Sequence, residues 1–243
     1  MIPYGKQDIN QEDIESVVEV LKSDFITQGP KTPLFEAVVS NKVGAKYAVA
    51  VNSATSALHI ACLALGLKKG GLLWTSPVTF VASANCAIYC GAEVDFVDID
   101  PDTYNICPEK LEEKLISAKK KNLLPDILVA VHLSGQSPEM DKIFKLSKKY
   151  GFLLIEDASH SIGAKYKGSY VGSCNYSDIT IFSFHPVKII TTAEGGMALT
   201  NDHELDKKMR LHSSHGITKD AEMMHHKDQG SWYYEQIDIG YNY

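Results

Sequence analysis

One lysine, Lys188, stands in the segment SFHPVKIITTAEGG, residues 183–196, between a predicted buried strand and a glycine-containing turn. A lysine amine is rarely buried without a partner, so this position indicates either a chemical role or a side chain that extends its amine to the surface. The chemistry open to such an amine is nucleophilic, because a neutral lysine can form an imine with an aldehyde. Gly195 and Gly196 would let the backbone turn tightly beside it.

Other polar or aromatic residues also follow predicted strands. Asp157 ends the apolar run FLLIED, where a carboxylate either awaits a buried cation or caps a following helix. The hydroxylated stretch 52–56 opens an apolar helix, whose free N–H groups suit either a phosphate or a simple helix cap. Phe80 either stacks on a flat ligand or fills the core. A lone histidine such as His132 is more often structural than catalytic.

The segments that carry these residues alternate between two hydrophobic patterns. Short β-rich runs predict strands at 47–53, 72–76, 93–99, 126–134, 152–159, 178–184 and 195–200. Apolar residues at helical spacing predict helices at 11–22, 33–43, 54–66, 79–91, 108–121, 140–151 and 203–216. This alternation predicts an α/β fold with a mainly parallel central sheet flanked by helices. Ligands of such sheets lie at the carboxyl ends of the strands, where the residues described above should meet.

Taken together, these residues match the requirements of pyridoxal 5′-phosphate (PLP). The hydroxylated helix start can hold a phosphate, Phe80 can stack on the ring, and Asp157 can keep the pyridine nitrogen protonated. Lys188 can bond the aldehyde and, once displaced by an amine, act as the general base. The sequence contains neither the GxxxxGK[ST] of a Walker-type site nor the GxGxxG of a dinucleotide-binding site.

Composition narrows the class of protein. The 243 residues are 44% hydrophobic and 22% charged, which is ordinary for a globular protein. A net charge of −6 disfavours a general nucleic-acid or anionic-membrane surface. We expect no membrane span and a cytoplasmic location, since apolar runs are short and the N-terminus has no signal-peptide core. The five cysteines show no zinc spacing and are interpreted as free thiols, with no metal site.

Four segments carry a resemblance to a known family: NSATSALHIA, SPVTFVASANCAIYCGAEVDFVDID, EDASHSIGAKYKG and SFHPVKIITTAEGG. They resemble the DegT/StrS family of sugar-nucleotide aminotransferases, which have the PLP-dependent transferase fold of type I. The resemblance implies that Lys188 bonds the cofactor, that Asp157 pairs with its pyridine nitrogen, and that His160 contacts its ring or O3′ side. It further implies that Phe80 stacks on the ring and that the phosphate is held by three hydroxyl side chains, those of Thr55, Ser56 and Ser183.

The resemblance also implies partners and a domain plan. Asn242 would reach the phosphate in the partner subunit of a homodimer with a shared active site, and Phe25, Thr27 and Gln28 would lie near the sugar nucleotide. The substrate would be a UDP-linked 4-keto-6-deoxy-N-acetylhexosamine of pseudaminic acid biosynthesis, aminated at C4, with L-glutamate as the amino donor. Residues 1–216 would form the PLP-binding large domain, with residues 1–30 as an N-terminal arm. Residues 217–243 would lead to a small C-terminal domain that is expected to be missing.

Two alternatives stay open at this point, and a third is disfavoured. The enzyme could act on another nucleotide-linked keto-sugar, or the chain could be an inactive truncated fragment that binds the cofactor. A sugar 3-dehydratase of the same family would carry histidine in place of Lys188, so the lysine argues against that activity.

Overall fold

The computed structural model, which describes residues 5–226, 230 and 232–243, is built around a seven-stranded sheet. The strands of this sheet are β1 (Tyr47–Val51), β2 (Leu72–Thr75), β3 (Glu93–Phe96), β4 (Ile127–Val131), β5 (Leu153–Asp157), β8 (Ile179–Ser183) and β9 (Gly196–Thr200). Two further pairs of short strands lie outside it: β6 (Lys165–Tyr166) with β7 (Ser169–Tyr170), and β10 (Ile217–Thr218) with β11 (Glu235–Gln236).

The helices are α1 (Gln11–Lys22), α2 (Lys31–Val43), α3 (Ala54–Ala64), α4 (Ala82–Tyr89), α5 (Pro108–Lys121), α6 (Met140–Tyr150) and α7 (His203–Ser213). A short 3₁₀ turn, Leu133–Gly135, follows β4. The alternation of strands and helices predicted from the sequence is therefore confirmed, with shifts of a few residues at several ends. Where the sequence predicts a helix from residue 79, α4 begins only at Ala82, because the Ser83 N–H donates to the Phe80 carbonyl and closes a turn there.

The sheet is mainly parallel, as predicted. Its strand order is β1-β9-β8-β5-β4-β2-β3, and the pairs from β8 through β5, β4 and β2 to β3 are parallel. Strand β9 runs in the opposite direction and pairs with β1 on one side and β8 on the other. The carboxyl ends of β1, β2, β4, β5 and β8 consequently lie along one edge, and the β8–β9 connection crosses that edge.

Both faces of the sheet are covered, which explains why its central strands are buried on both sides. All five residues of β4 and all five of β8 are buried. Helices α3, α4 and α7 cover one face through Leu58, Cys86 and Met209. Helices α5 and α6 cover part of the other face, where Leu111 and Ile143 meet Leu128 of β4, while α2 packs beside them near β8 and β9. Because helices cover both faces, the carboxyl ends of the strands are where this sheet leaves room for a ligand.

The two ends of the described chain differ in how closely they pack against the rest of the protein. Every residue of α1 is exposed or half-buried, although its apolar residues have the predicted helical spacing; residues 1–4 of the expected arm lie outside the described residues. Towards the C-terminus, Asn242 bridges to Ser214, and the Tyr243 hydroxyl lies 3.0 Å from Nδ1 of His59 in α3. Residues 227–229 and 231 lie outside the described part. The domain limits at residues 216 and 217 stay a prediction.

Candidate active site

A cavity of about 440 Å³ lies at the carboxyl ends of the strands, a size typical of small-molecule sites. The segments after five strands contribute to its wall, since the chain turns out of the sheet there. The cavity brings together six residues predicted from the sequence: Thr55, Phe80, Asp157, His160, Ser183 and Lys188. These residues are far apart in the chain, and the parallel strand order is what brings them together.

The amine of Lys188 lies against the ring of His160. Nζ of Lys188 is 2.6 Å from Nε2 of His160, and both side chains are half-buried. Burial lowers the pKa of Lys188, and the negative charge of Asp157 only partly opposes this. Burial and the nearby Lys188 charge both lower the pKa of His160. The pair therefore favours a neutral imidazole that accepts a hydrogen bond from the amine, and an amine that loses its proton more readily than a surface lysine does.

The carboxylate of Asp157 forms the floor of the cavity at the end of β5. The residue is only 6% exposed, and burying a carboxylate is costly unless donors surround it. Oδ1 accepts from the Ser159 hydroxyl at 2.6 Å and from the Ser159 N–H at 3.3 Å. Oδ2 accepts from the Ser83 hydroxyl at 2.7 Å. Both oxygens are thus held by donors, and the carboxylate remains among the residues that line the cavity.

The start of α3 forms another part of the wall. Ser53 caps this helix by accepting from the Ser56 N–H at 3.1 Å, and the first N–H groups of a helix lack intrahelical acceptors. Thr55 and Ser183 line the cavity here, whereas the Ser56 hydroxyl donates to Oδ1 of Asn52 at 2.6 Å and belongs to the cap. The structure therefore places two of the three predicted phosphate-binding hydroxyls at the cavity and the third behind it.

Phe80 stands at the cavity wall with 73% of its surface exposed. An aromatic ring that filled the core would be buried, so this exposure favours the interpretation that it packs against a flat ligand. The ring belongs to the turn between β2 and α4, which also carries Thr79 into the wall.

The residues predicted to contact the sugar nucleotide lie elsewhere. Phe25, Thr27 and Gln28 line a second recess of about 390 Å³, formed by residues 19–32. Asn242 is exposed, and its carbonyl accepts from Nδ2 of Asn52 at 3.4 Å, next to the helix cap of its own chain. Their roles in binding stay predictions.

Several residues in the cavity wall or directly behind it were not assigned a role from the sequence. Ser83 looked like part of an apolar helix; its signal was a polar residue inside that apolar run, four residues after Thr79. His132, expected to be structural, lines the wall while its Nε2 lies 3.0 Å from Oε2 of the buried Glu156. Glu194 also lines the cavity, directly before Gly195.

The donor set fits PLP. One cavity is lined by a helix start suited to an anion, a buried carboxylate, an exposed aromatic ring and a half-buried lysine. This is the combination that the cofactor requires. Among the residues that the structure describes, no group of three or more His, Cys, Asp or Glu is placed to hold a metal ion. Within the same residues, no helix is both long and apolar enough to cross a membrane.

The fold is that of the large domain of PLP-dependent transferases of type I, as comparison with solved structures confirms. Residues 7–243 match the DegT/DnrJ/EryC1/StrS aminotransferase family, and the chain belongs to this family. The structure of Helicobacter pylori PseC, an aminotransferase involved in pseudaminic acid biosynthesis, superposes with a TM-score of 0.85 at 34% identity, covering 99% of this chain and 61% of that one. The PLP-form of Spr1654 from Streptococcus pneumoniae superposes with a TM-score of 0.84 at 29% identity, covering 99% and 62%.

A curated relative is similar along the whole sequence. The UDP-4-amino-4,6-dideoxy-N-acetyl-beta-L-altrosamine transaminase of Campylobacter jejuni (serotype O:23/36) is 45% identical over 243 residues, which are 100% of this chain and 60% of the relative. The chain thus spans about 60% of the length of the curated relatives it matches.

Proposed function

We propose that this chain forms the cofactor-binding domain of a PLP-dependent aminotransferase that moves an amino group from L-glutamate to C4 of a UDP-linked 4-keto-6-deoxy-N-acetylhexosamine, in a pathway of the pseudaminic acid type. The observation that carries the proposal is the Lys188 amine, which lies 2.6 Å from His160 in a cavity that Asp157 also lines. Membership of the aminotransferase family and the similarity to the Campylobacter jejuni transaminase support this class of activity.

When bound, PLP supplies an electron sink that stabilises negative charge at the carbon next to the transferred amine. The residues of this chain would hold it at three points. The start of α3, with Thr55 and Ser183, would hold the phosphate, Phe80 would cover a face of the ring, and Asp157 would pair with the ring nitrogen. A carboxylate held by two serine side chains can pair with a cationic N–H group without first reorganising.

Lys188 would carry the proton in both half-reactions. Its Nζ must be neutral to accept a proton from carbon, and its lowered pKa increases the neutral fraction near neutral pH. The neutral imidazole of His160 can accept a hydrogen bond from Nζ and so orient the lone pair and proton of the amine. Both side chains are half-buried, and partial removal from water strengthens their mutual interaction.

The identity of the sugar, the donor and the assembly are further parts of the proposal. The recess that contains Phe25, Thr27 and Gln28 would receive part of the sugar nucleotide. Asn242, held by its backbone to Asn52 and Ser214, would present its side chain to the cofactor phosphate in the partner subunit of a homodimer. The alternative is an aminotransferase that acts on a different nucleotide-linked keto-sugar; the similarity to the Campylobacter jejuni enzyme favours the first substrate.

Absorbance spectroscopy of the purified chain with PLP tests the chemistry. We expect a visible cofactor band that is lost on addition of L-glutamate, and the band should be absent in Lys188→Ala. Lys208→Ala, which changes an exposed lysine of α7, is the matched control and should keep the band. A band that survives in Lys188→Ala unchanged would refute the assignment of this lysine.

The substrate is tested with the glutamate-treated protein. Addition of the UDP-linked 4-keto-sugar should restore the visible band and yield a UDP-linked amino sugar, detected by mass spectrometry. Restoration by a dTDP-linked 4-keto-sugar alone would overturn the proposed substrate in favour of the alternative one.

A further inference from the structure

Ser83 is a buried hydroxyl that contacts the proposed cofactor-binding carboxylate from a separate element. It is 0% exposed, lies in the first turn of α4, and donates to Oδ2 of Asp157 at 2.7 Å. Ser159 holds the other oxygen of the same carboxylate from the loop after β5. The two serine contacts thus reach Asp157 from different elements and restrict rotation of the carboxylate about its last bond.

The direction of the hydrogen bonds follows from counting protons. A serine hydroxyl has one proton, and that of Ser83 is used on the carboxylate. Oγ1 of Thr79 lies 2.8 Å from Oγ of Ser83, so Thr79 must be the donor in that contact. The result is a chain of two hydroxyl groups, Thr79 to Ser83 to Asp157, which begins at the cavity wall beside Phe80.

We propose that Ser83, oriented by Thr79, is a positioning residue that aims the Asp157 carboxylate at the ring nitrogen of the cofactor. This inference rests on the proposed function, because it needs a cationic ring nitrogen opposite Asp157. Ser83 does not itself line the cavity, so it acts on the cofactor through Asp157.

The loss of Ser83 should have a signature that differs from a general loss of stability. In Ser83→Ala, Oδ2 loses its hydroxyl donor and the carboxylate is held only from the Ser159 side. The ring nitrogen then keeps its proton less well, and less positive charge in the ring raises the proton affinity of the nitrogen that joins the cofactor to Lys188. The pH midpoint of the visible band should therefore rise by roughly half a pH unit or more. Cofactor affinity should fall by roughly 3- to 10-fold.

The chain offers a matched control in Ser161. This serine is also 0% exposed, and within the described residues its hydroxyl has no hydrogen-bond partner. Ser161→Ala therefore removes a buried hydroxyl close to the same site without removing a donor to Asp157, and it should leave the midpoint unchanged. Thr79→Val keeps the shape of the side chain but removes the first donor, and it should raise the midpoint by a smaller amount.

The experiment is a pH titration of the PLP absorbance band, together with a PLP binding titration, for the parent chain and the three variants. The inference is supported if the midpoint rises most in Ser83→Ala, rises less in Thr79→Val and does not change in Ser161→Ala. If the parent shows the band and Ser83→Ala titrates like Ser161→Ala, the inference is overturned while the proposed function stands. If the parent shows no band, the proposed function fails and this inference fails with it. Should Ser83→Ala not fold, Thr79→Val against Ser161→Ala decides in the same way.

Discussion

Gly196 fixes how closely β9 can approach the start of α3, so it controls the geometry of the predicted phosphate-binding end. A Cβ at this position would lie 2.2 Å from the carbonyl carbon of Ser53 and 2.4 Å from the Ala54 nitrogen. These are backbone atoms and cannot rotate away. An alanine at position 196 must therefore push β9 and the helix start apart by more than 1 Å to reach an ordinary contact distance.

The cost can be worked out from what that movement breaks. Gly196 is the residue of β9 that pairs with Val51 of β1 and with Ser183 of β8, at the end of both ladders. Strain of about 1–3 kcal/mol from overpacking, with the loss of one or two ladder hydrogen bonds, suggests a loss of roughly 3 kcal/mol for Gly196→Ala. For a chain of this size that corresponds to a fall in Tm of roughly 6–12 °C.

Gly195→Ala provides the matched control. Its Cβ would lie at the same distance, 2.2 Å, but from Oγ1 of Thr192, an exposed side chain that can change rotamer. That rotation sacrifices one hydrogen bond from Thr192 to the Glu194 carbonyl, so the loss should be about 1 kcal/mol. Urea unfolding of both variants measures the difference, and PLP titration should show weaker binding for Gly196→Ala. Equal losses of stability in the two variants would refute the reasoning.

Two further predictions concern charge. In Lys188→Met the pKa of His160 should rise towards its ordinary value of 6.5, because burial still lowers this pKa but the neighbouring cation no longer does. NMR titration of the His160 ring measures the pKa, and an unchanged value would contradict the 2.6 Å contact. Burial alone would raise the pKa of Glu156, but hydrogen bonds from His132 and from the Ser177 and Thr180 hydroxyls together lower it. The contribution of the Glu156 carboxylate to stability is therefore present above pH 4.5 and is lost as the pH falls through the lowered pKa. The unfolding free energy of Glu156→Gln should therefore fall less than that of the parent chain as the pH is lowered below about 4.5. Parallel curves in this range would count against this reasoning.

Much of the site could be predicted because it depends on local patterns and on one rule of topology. Asp157 and Lys188 each follow an apolar run that reads as a strand, and parallel strands place such residues at a common edge. The helix start at 52–56 was visible from its small and hydroxylated residues. The alternation of strands and helices, which decides the fold class, is confirmed by the structure.

The rest depends on long-range packing that local sequence does not encode. The insertion of antiparallel β9 between β1 and β8 brings Gly196 against Ser53, although these residues are remote in the chain. The role of Ser83 could not be predicted, because Ser83 lies in α4 and its partner Asp157 lies at the end of β5, far away in the sequence. The separation of Phe25 and its neighbours from the cavity likewise follows from how the arm packs, and helical periodicity gives no information about that.

The position of β9 also sets an order of events during synthesis and folding. β1 pairs with β9 from Tyr47 opposite Thr200 onward, residues about 150 positions apart, and such non-local pairings form late because closing a long loop costs entropy. The parallel core of β2, β4 and β5 involves shorter separations and can form while β9 is still being made. The helix start that would hold a phosphate gains its neighbouring strand only when β9 inserts, so we expect nascent chains that end before residue 196 to be collapsed but unable to retain the cofactor.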